Sequence, residues 1–476
     1  MITSERATKT TLKHSEMEAG NGTAVPLSSR NIVGRKERSD HVWDKTNAGG
    51  GGRRQYSITT LGGRMRSWWS RRNQTSTKSP MIPDGLSLEE RAQYETLLKV
   101  VAARPALGVK TPRVIVITDL AKDYDDLAAM VVLKELHRLG VVTLLGFVAN
   151  LMPQEDRVRF GRGALDLLGL HDIPIAQGTS GFPPSAKKKH TPFDYEFKCD
   201  FMADENDERI IKEGMGEKLL HRLFSDAVAT KQKLTLVLIS SLEDIYAFST
   251  KYTELFKEAV SNIVFQGGYS ISPEGNLIAD PAANNNRYDI DAAREFHNFI
   301  QESGIPSVVY TKVAAFATPL TSVLFDEMAK THHPLGKHLR HVQVFQDLAF
   351  YTTASKEKPE ERFAPFMDRK WFLENKTSWF DKNPPDAPYP NGKEVVPYLT
   401  KVIVYDALAG LGASGQDALD ALEVLTPYNP SPPSIHRVVG FAGPPSDPGV
   451  HPDQMALVLS ALLKGSLLTS RPDRVR

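Results

Sequence analysis

The chain has 476 residues, 41% of them hydrophobic and 24% charged, with a formal net charge of +1. That size and balance suit a soluble globular protein of one large or two ordinary domains, and they supply no overall field for nucleic acid. The single cysteine, Cys199, excludes an intramolecular disulfide and a Cys-rich zinc site and fits a reducing compartment, while no stretch approaches the ~20 apolar residues of a membrane span.

Residues 1–84 open the chain as a polar segment with a glycine run at 49–52 and no sustained periodicity, which predicts a disordered tail. Its charge is one-sided. Residues 1–80 hold 15 Lys and Arg against 6 Asp and Glu, an excess of +9 that leaves −8 for the rest. "RMRSWWSRRN" (64–73) interleaves Arg with Trp68 and Trp69, so a membrane-surface or nucleic-acid contact stands beside the plainer reading of a basic tail with incidental aromatics. The first thirty residues lack the apolar core of a secretory signal, and Glu5, Glu16 and Glu18 speak against a mitochondrial presequence. The expected location is cytoplasmic.

Order is expected from residue 85 to 476. "LSLEERAQYETLLKVVAAR" (86–104) reads as a helix, with Ser87 and Glu90 at capping-box spacing. Short apolar runs follow at 113–118, 143–149, 173–177, 234–240, 262–268 and 307–312. They alternate with helical patterns near 126–140, 154–169, 208–230, 243–260 and 289–303. Continuous apolar strands are buried on both faces, so the fold class is α/β: an open, mostly parallel, Rossmann-like sheet flanked by helices. The stretch 356–394, rich in Pro, Asp, Lys and aromatics, breaks the rhythm and reads as a long surface excursion. Helical periodicity returns at 404–413 and 451–465.

The chemistry concentrates in "VIVITDLAKDYDDLAAMVV" (114–132), where Asp119, Asp123, Asp125 and Asp126 follow the first strand within eight positions. Ligands of an open parallel sheet bind beyond the carboxyl ends of its strands. Helix capping explains one or two of these acids. Four like charges so close raise one another's pKa unless a cation neutralises them, and Ca²⁺ or Mg²⁺ is the natural oxygen-seeking partner. A haloacid-dehalogenase-type phosphatase would need Asp-x-Asp straight after the strand; here the order is Asp119-Leu120-Ala121. Other strand ends supply Asn150, Asn276 and the amides Asn284, Asn285 and Asn286, and Asp406 opens a later helix. Amides and carboxylates around a cation suit the vicinal hydroxyls of a sugar. The pair His332-His333 is better explained as a helix end than as a zinc site.

At these residues the chain resembles the inosine–uridine-preferring nucleoside hydrolases. "ITDLAKDYDD" is similar to their strand followed by D-x-D-P-G-x-D-D, with a loop two residues longer and Leu120 in place of the proline. "AN" at Asn150, "DIPIAQGTSGFP", "TLVLISSLEDI", "NIVFQGGYSISPEGN", "ANNNRYDIDAA" and "VYDA" resemble the later family motifs in family order, over residues 112–412. The resemblance implies hydrolysis of the N-glycosidic bond of a ribonucleoside to free base and ribose. It further implies Ca²⁺ held by Asp119, Asp126, Asp406 and the Ile239 carbonyl, Asp125 as general base, and ribose held by Asn150, Asn276 and Asn285. Three departures qualify it. The family's ribose-binding glutamate falls on Ala283, its leaving-group histidine falls on Tyr405, and the longer loop makes Asp123 a rival to Asp119 and Asp125. Tyr405 is then the candidate acid for the departing base. The expected partner is a small-molecule nucleoside, with no specific nucleic acid, no membrane span and room for a homo-oligomer. The alternative is a catalytically weak relative that binds a nucleoside or ribosyl ligand, or a hydrolase of another N-ribosyl compound.

Overall fold

A computed structural model of the chain describes residues 80–183, 185–186, 190–211, 214–430, 434–441 and 446–470. The expected tail therefore lies outside the described residues up to position 79. The packed chain begins slightly before residue 85. Ile82 packs against the main apolar cluster, and the Met81 carbonyl accepts a hydrogen bond from Arg138 at 3.1 Å.

Helix α1 (Leu88–Leu107) starts as its sequence dictates, with the Ser87 side chain and Glu90 completing a capping box. Eight strands form the central sheet: β1 (Arg113–Thr118), β2 (Thr143–Ala149), β3 (Ile175–Gln177), β4 (Ile210–Ile211), β5 (Leu234–Leu238), β6 (Val260–Gln266), β9 (Ser307–Tyr310) and β12 (His436–Val439). Their order is β12-β9-β6-β5-β1-β2-β3-β4, and every neighbouring pair is parallel. The chain thus runs outward from β1 through β2 and β3 to β4, then crosses back to β5 on β1's other side. That reversal opens a crevice at the carboxyl end of β1, the usual ligand position in such sheets.

All six residues of β1 are buried. Val114 and Val116 join one apolar cluster and Ile115 and Ile117 another, as the period of two along a strand requires. Each such side chain contributes about 1.5–3 kcal/mol by burial. Of the helices, α2 (Tyr124–Leu139) follows β1, α3 (Gln154–Leu167) follows β2 and α4 (Met215–Ala229) precedes β5. The region expected as one helix over 243–260 is two, α5 (Glu243–Lys251) and α6 (Thr253–Ala259). The helix expected from 208 starts only at Met215, because Ile210–Ile211 pairs with β3. Two-stranded antiparallel pairs, β7 (Tyr269–Ile271) with β8 (Leu277–Ala279) and β10 (Leu320–Thr321) with β11 (Lys401–Val402), are additions to the expected set. After β8 come α7 (Asn284–Tyr288), α8 (Ile290–Glu302), α9 (Lys312–Ala317), α10 (Ser322–Lys330) and α11 (Pro334–Ala354).

The excursion at 356–394 carries α12 (Arg369–Lys376) and α13 (Trp379–Lys382) and builds an apolar cluster of its own from Tyr351, Phe372, Leu373, Trp379, Val395 and Leu399. A buried ion pair, Lys376 Nζ to Asp347 at 2.9 Å, fixes it to α11. Next come α14 (Tyr405–Gly412), α15 (Gln416–Ala421) and α16 (Pro452–Thr469). Helix α14 packs along α2. No helix of the described residues is long and apolar enough to cross a membrane.

Candidate functional site

The crevice at the end of β1 gathers five carboxylates from two elements. Asp119 follows β1, Asp123 precedes α2, Asp125 and Asp126 lie in the first turn of α2, and Asp406 lies in the first turn of α14. Both helices point their N-terminal ends at the acids, which favours negative charge there. Ligand atoms of Asp123, Asp125, Asp126 and Asp406 all lie within 4.8 Å of one another. Asp126 is fixed by hydrogen bonds to one of its oxygens from the Thr118 hydroxyl and, at 3.0 Å, from the Asp119 N–H.

Asp119 stands apart from that group of four. Its Oδ2 lies 3.2 Å from Lys122 Nζ, and the same ammonium lies 3.3 Å from Asp123 Oδ2. So the longer loop does two things: it adds Asp123 to the cage and places a lysine between it and Asp119. The backbone is held for this. Ala121 adopts φ +73°, and the fully buried Arg157 donates to the carbonyls of Asp119 (3.1 Å) and Leu120 (2.9 Å). Its other N–H groups reach Leu151, Met152 and the buried Glu196 carboxylate at 3.0 Å. One guanidinium thus clamps the loops after β1 and β2.

The electrostatics match the crowding. Desolvation, then the charges of Asp123 and Asp406, raise the pKa of Asp125 well above the carboxylate range. Desolvation with Asp119 and Asp406 does the same for Asp126, and desolvation with Asp123 and Asp119 for Asp406. Asp123 is lowered: burial opposes its ionisation, but the Lys122 charge overcomes it. Burial alone would lower Lys122, yet Asp119 and Asp123 hold its pKa well above the usual lysine value. Oδ1 of Asp119, Asp123 and Asp125 and Oδ2 of Asp126 are buried without a hydrogen-bond donor. Buried acceptors left unpaired beside like charges are costly, and a hard cation with oxygen ligands relieves both costs at once. The donor set fits such an ion.

The amides expected to hold a sugar divide. Asn150 is fully buried and donates to the Ser241 carbonyl (3.0 Å) and Asp244 Oδ2 (2.8 Å), while its oxygen accepts from the Ser240 hydroxyl. Both its amide hydrogens are committed to joining the ends of β2 and β5. Asn285, buried at the start of α7, donates to the backbone and side-chain oxygens of Gln266 at the end of β6. Asn276 is exposed in the β7–β8 turn, where its N–H donates to the Ser272 hydroxyl and its carbonyl accepts from the Ser272 N–H. It lines a shallow surface cleft with Ser272, Glu274, Asn298 and Gln301, and none of the carboxylates lines that cleft. Ile239 follows β5, and its N–H donates to the Ile117 carbonyl at 3.0 Å, beside the strand that ends at Asp119. The His332-His333 pair, expected to end a helix, follows the end of α10 at Lys330, and His333 itself starts the next helix, capping α11 by accepting from the Leu335 N–H.

Two tyrosines interact electrostatically with the acids, Tyr405 with Asp125 and Asp123 and Tyr195 with Asp123. The Tyr405 ring meets Phe316 edge-on at 5.9 Å, and Phe316 meets Trp371 of the excursion at 5.6 Å. Burial, then the charges of Asp125 and Asp123, raise the Tyr405 pKa, so its phenol stays protonated. Tyr195, whose pKa is raised by burial and then by Asp123, stacks on Phe193 at 5.3 Å. Sequence reasoning passed over Arg157, Asp244, Lys122 and Tyr195. Asp244 had the clearest signal, because it follows an apolar strand by a few residues, as Asp125 does.

The fold is shared with solved proteins. The type III effector XopQ, in a structure complexed with adenosine diphosphate ribose, is 25% identical, covers 80% of this chain and 100% of its own, and superposes with a TM-score of 0.64. The chain has the XopQ fold. The effector XOO4466 is 26% identical over 80% of this chain and 99% of its own, with a TM-score of 0.62. A purine-preferring ribonucleoside hydrolase from Gardnerella vaginalis is 17% identical over 75% of this chain and 99% of its own, at 0.46. No protein-family model matches the chain, and no curated protein sequence matches it.

Proposed function

We propose that the chain is a metal-dependent N-ribosyl hydrolase acting on a small ribosyl compound, with nucleosides as the first class to test. One observation carries this reading: four carboxylates, three of them buried and Asp123 half-buried, converge within 4.8 Å at the switch point of a parallel sheet, and Asp123, Asp125 and Asp126 each keep a buried oxygen without a hydrogen-bond partner. Asp126 and Asp406 would hold Ca²⁺ together with Asp123, with Asp119 as a further ligand when released from Lys122 and the Ile239 carbonyl as the main-chain one. The ion, when bound, would neutralise the cage, orient vicinal hydroxyls and acidify a water.

The rest of the chemistry belongs to side chains. Asp125, raised by its neighbours, takes the proton as water oxygen forms its bond to the sugar's anomeric carbon. The breaking C–N bond gives its electron pair to the leaving base, which gains a proton. Tyr405, protonated, next to Asp406 in sequence and near enough for Asp125 and Asp123 to act on its phenol, is the donor for that proton. The negative charge of the surrounding carboxylates stabilises the positive charge that develops on the sugar. Asn285 is tethered where it can accept from a hydroxyl through its free oxygen, Asn150 sets the loop positions, and a ribose contact by Asn276 would need the hairpin to move inward.

A second reading, a ribosyl-ligand binder with weak or no turnover, is favoured by the Lys122 ammonium inside the cage and by Ala283 where a ligand-binding glutamate is expected. The XopQ structure with adenosine diphosphate ribose makes that compound part of the test panel. Purified protein should be assayed for reducing sugar across nucleosides and adenosine diphosphate ribose, with chelator and with Ca²⁺. Release that stops in chelator and returns with Ca²⁺ supports hydrolysis. Calorimetric binding without release supports the binder, and neither signal would refute both. The lone cysteine, Cys199, and the absence of a membrane-length helix among the described residues fit our further proposal of a cytoplasmic location.

A further inference from the structure

Among the described residues, the carboxylates of the cage form ion pairs with Lys122 alone. We propose that Lys122 is a tethered competitor of the divalent cation: its ammonium occupies the Asp119 side of the cage, and an entering ion must displace it. The proposal rests on the reading that the cage binds metal.

The loop enforces the arrangement. Lys122 N–H donates to the Asp119 carbonyl at 3.1 Å, Ala121 turns the chain at φ +73°, and Arg157 pins the two carbonyls before it. The lysine head is therefore delivered back onto Asp119 and Asp123 rather than outward. It does not saturate them. One positive charge faces five carboxylates, and Oδ1 of Asp119, Asp123 and Asp125 and Oδ2 of Asp126 remain unpaired. An ammonium is a point charge with three donors and cannot coordinate converging oxygens as a divalent ion does. It lowers the repulsion in the cage without removing the demand for a metal.

Displacement has a path. The Lys122 side chain is 14% exposed, its ammonium lies 5.6 Å from the centre of the Tyr288 ring, and its four-carbon stem can swing toward the opening. Tyr288, its pKa pushed up to about 12 chiefly by burial, offers a neutral aromatic face there. Asp119 and Asp123 then become free to turn their oxygens to the ion. By this account the two extra residues of the loop lower metal affinity while keeping the metal-free cage intact.

Calorimetric Ca²⁺ titration of the full chain, with Lys122→Met and Lys122→Arg beside wild type at fixed pH and ionic strength, tests this. Removing a unit positive charge next to a divalent ion should tighten Ca²⁺ binding by about tenfold or more, whereas the arginine variant stays near wild type. In chelator the methionine variant should melt below wild type, because the acids lose their built-in counter-charge. Lys122→Gln, which keeps a polar head, serves if the methionine variant does not fold. Binding by the variant but not by wild type would support the proposal in its strongest form. Unchanged or weaker Ca²⁺ binding in Lys122→Met or Lys122→Gln, with wild type binding, would overturn it and leave the metal site standing. Failure of all the proteins to bind Ca²⁺ would remove both.

Discussion

Asp406→Asn removes one charge from the cage and almost no volume, so it separates what the acids cost the fold from what they gain from metal. Asp406 faces Asp123, Asp125 and Asp126 with ligand atoms within 4.8 Å. At an effective dielectric of about 20, two unit charges at that range repel by roughly 3 kcal/mol. Three such pairs amount to about 10 kcal/mol if every acid is ionised. The real figure is smaller, because a carboxyl of raised pKa can take a proton at about 1.4 kcal/mol per pH unit, and because Lys122 already offsets part of the charge. We expect the metal-free variant to be about 2 kcal/mol more stable than wild type, seen as a melting temperature a few degrees higher in chelator. The order should reverse in Ca²⁺. Wild type gains about 2.7 kcal/mol at an ion concentration a hundredfold above Kd, and a variant missing a ligand gains far less. Thermal unfolding of both proteins, in chelator and in saturating Ca²⁺, reads this crossing. A variant that melts lower than wild type in chelator and gains as much from Ca²⁺ would show that Asp406 is structural and is not a ligand of the ion.

Asp125→Asn should keep Ca²⁺ affinity while single-turnover hydrolysis falls by about 10²–10⁴, whereas Asp123→Asn should weaken Ca²⁺ binding first; the opposite split would exchange their roles. Arg157→Met leaves the buried Glu196 carboxylate with only His190 and the Phe193 N–H and frees two loops, so urea unfolding should show a loss of about 3 kcal/mol, and a loss below about 1 kcal/mol would mean the clamp is not needed. His297 is buried with both ring nitrogens unpaired and its pKa is pushed down to about 3, chiefly by desolvation and then by His436. The unfolded chain therefore binds a proton that the folded one refuses. The stability His297 allows is full above about pH 6.5 and drains by up to ~1.4 kcal/mol per unit as pH falls toward 3. His297→Phe should flatten the acid limb of the urea stability profile, and an identical limb would assign the slope elsewhere.

The sheet was legible where its physics is local. Runs such as "RVIVIT" and "LTLVL" are buried on both faces, and continuous hydrophobicity is the mark of that position. β12 escaped because its four residues, His436–Val439, lie in a proline-rich segment and owe their strand geometry to β9 alongside. β4 is two residues long and pairs with β3 only. The excursion's helices hide for a related reason: Trp371, Phe372, Trp379 and Tyr398 pack on one another and on α11, and no repeat of 2 or 3.6 records that. Such order comes from contacts distant in sequence, which a scan along the chain does not sample.

The site shows the same division with a sharper consequence. That acids gather at the end of β1 can be read off the chain, because strand ends and helix starts are positions along it. Which acids converge is a matter of loop geometry, which residue type along the chain does not record. A motif aligned by its outer aspartates puts Asp119 in the metal shell and leaves Asp123 to solvent. The folded loop brings Asp123 to Asp125, Asp126 and Asp406 and hands Asp119 to Lys122. Neither outcome is written in residue type, since a lysine in a loop usually faces water and an inserted acid usually does too. The decisive residue is one that no motif names. Arg157, on α3, fixes the Asp119 and Leu120 carbonyls, and only with those pinned does the turn at Ala121 send the lysine inward. On our proposal, the charge beside the acids is therefore positioned by a helix that contributes none of them, so a change at Arg157 should act on the clamp and on the cage together.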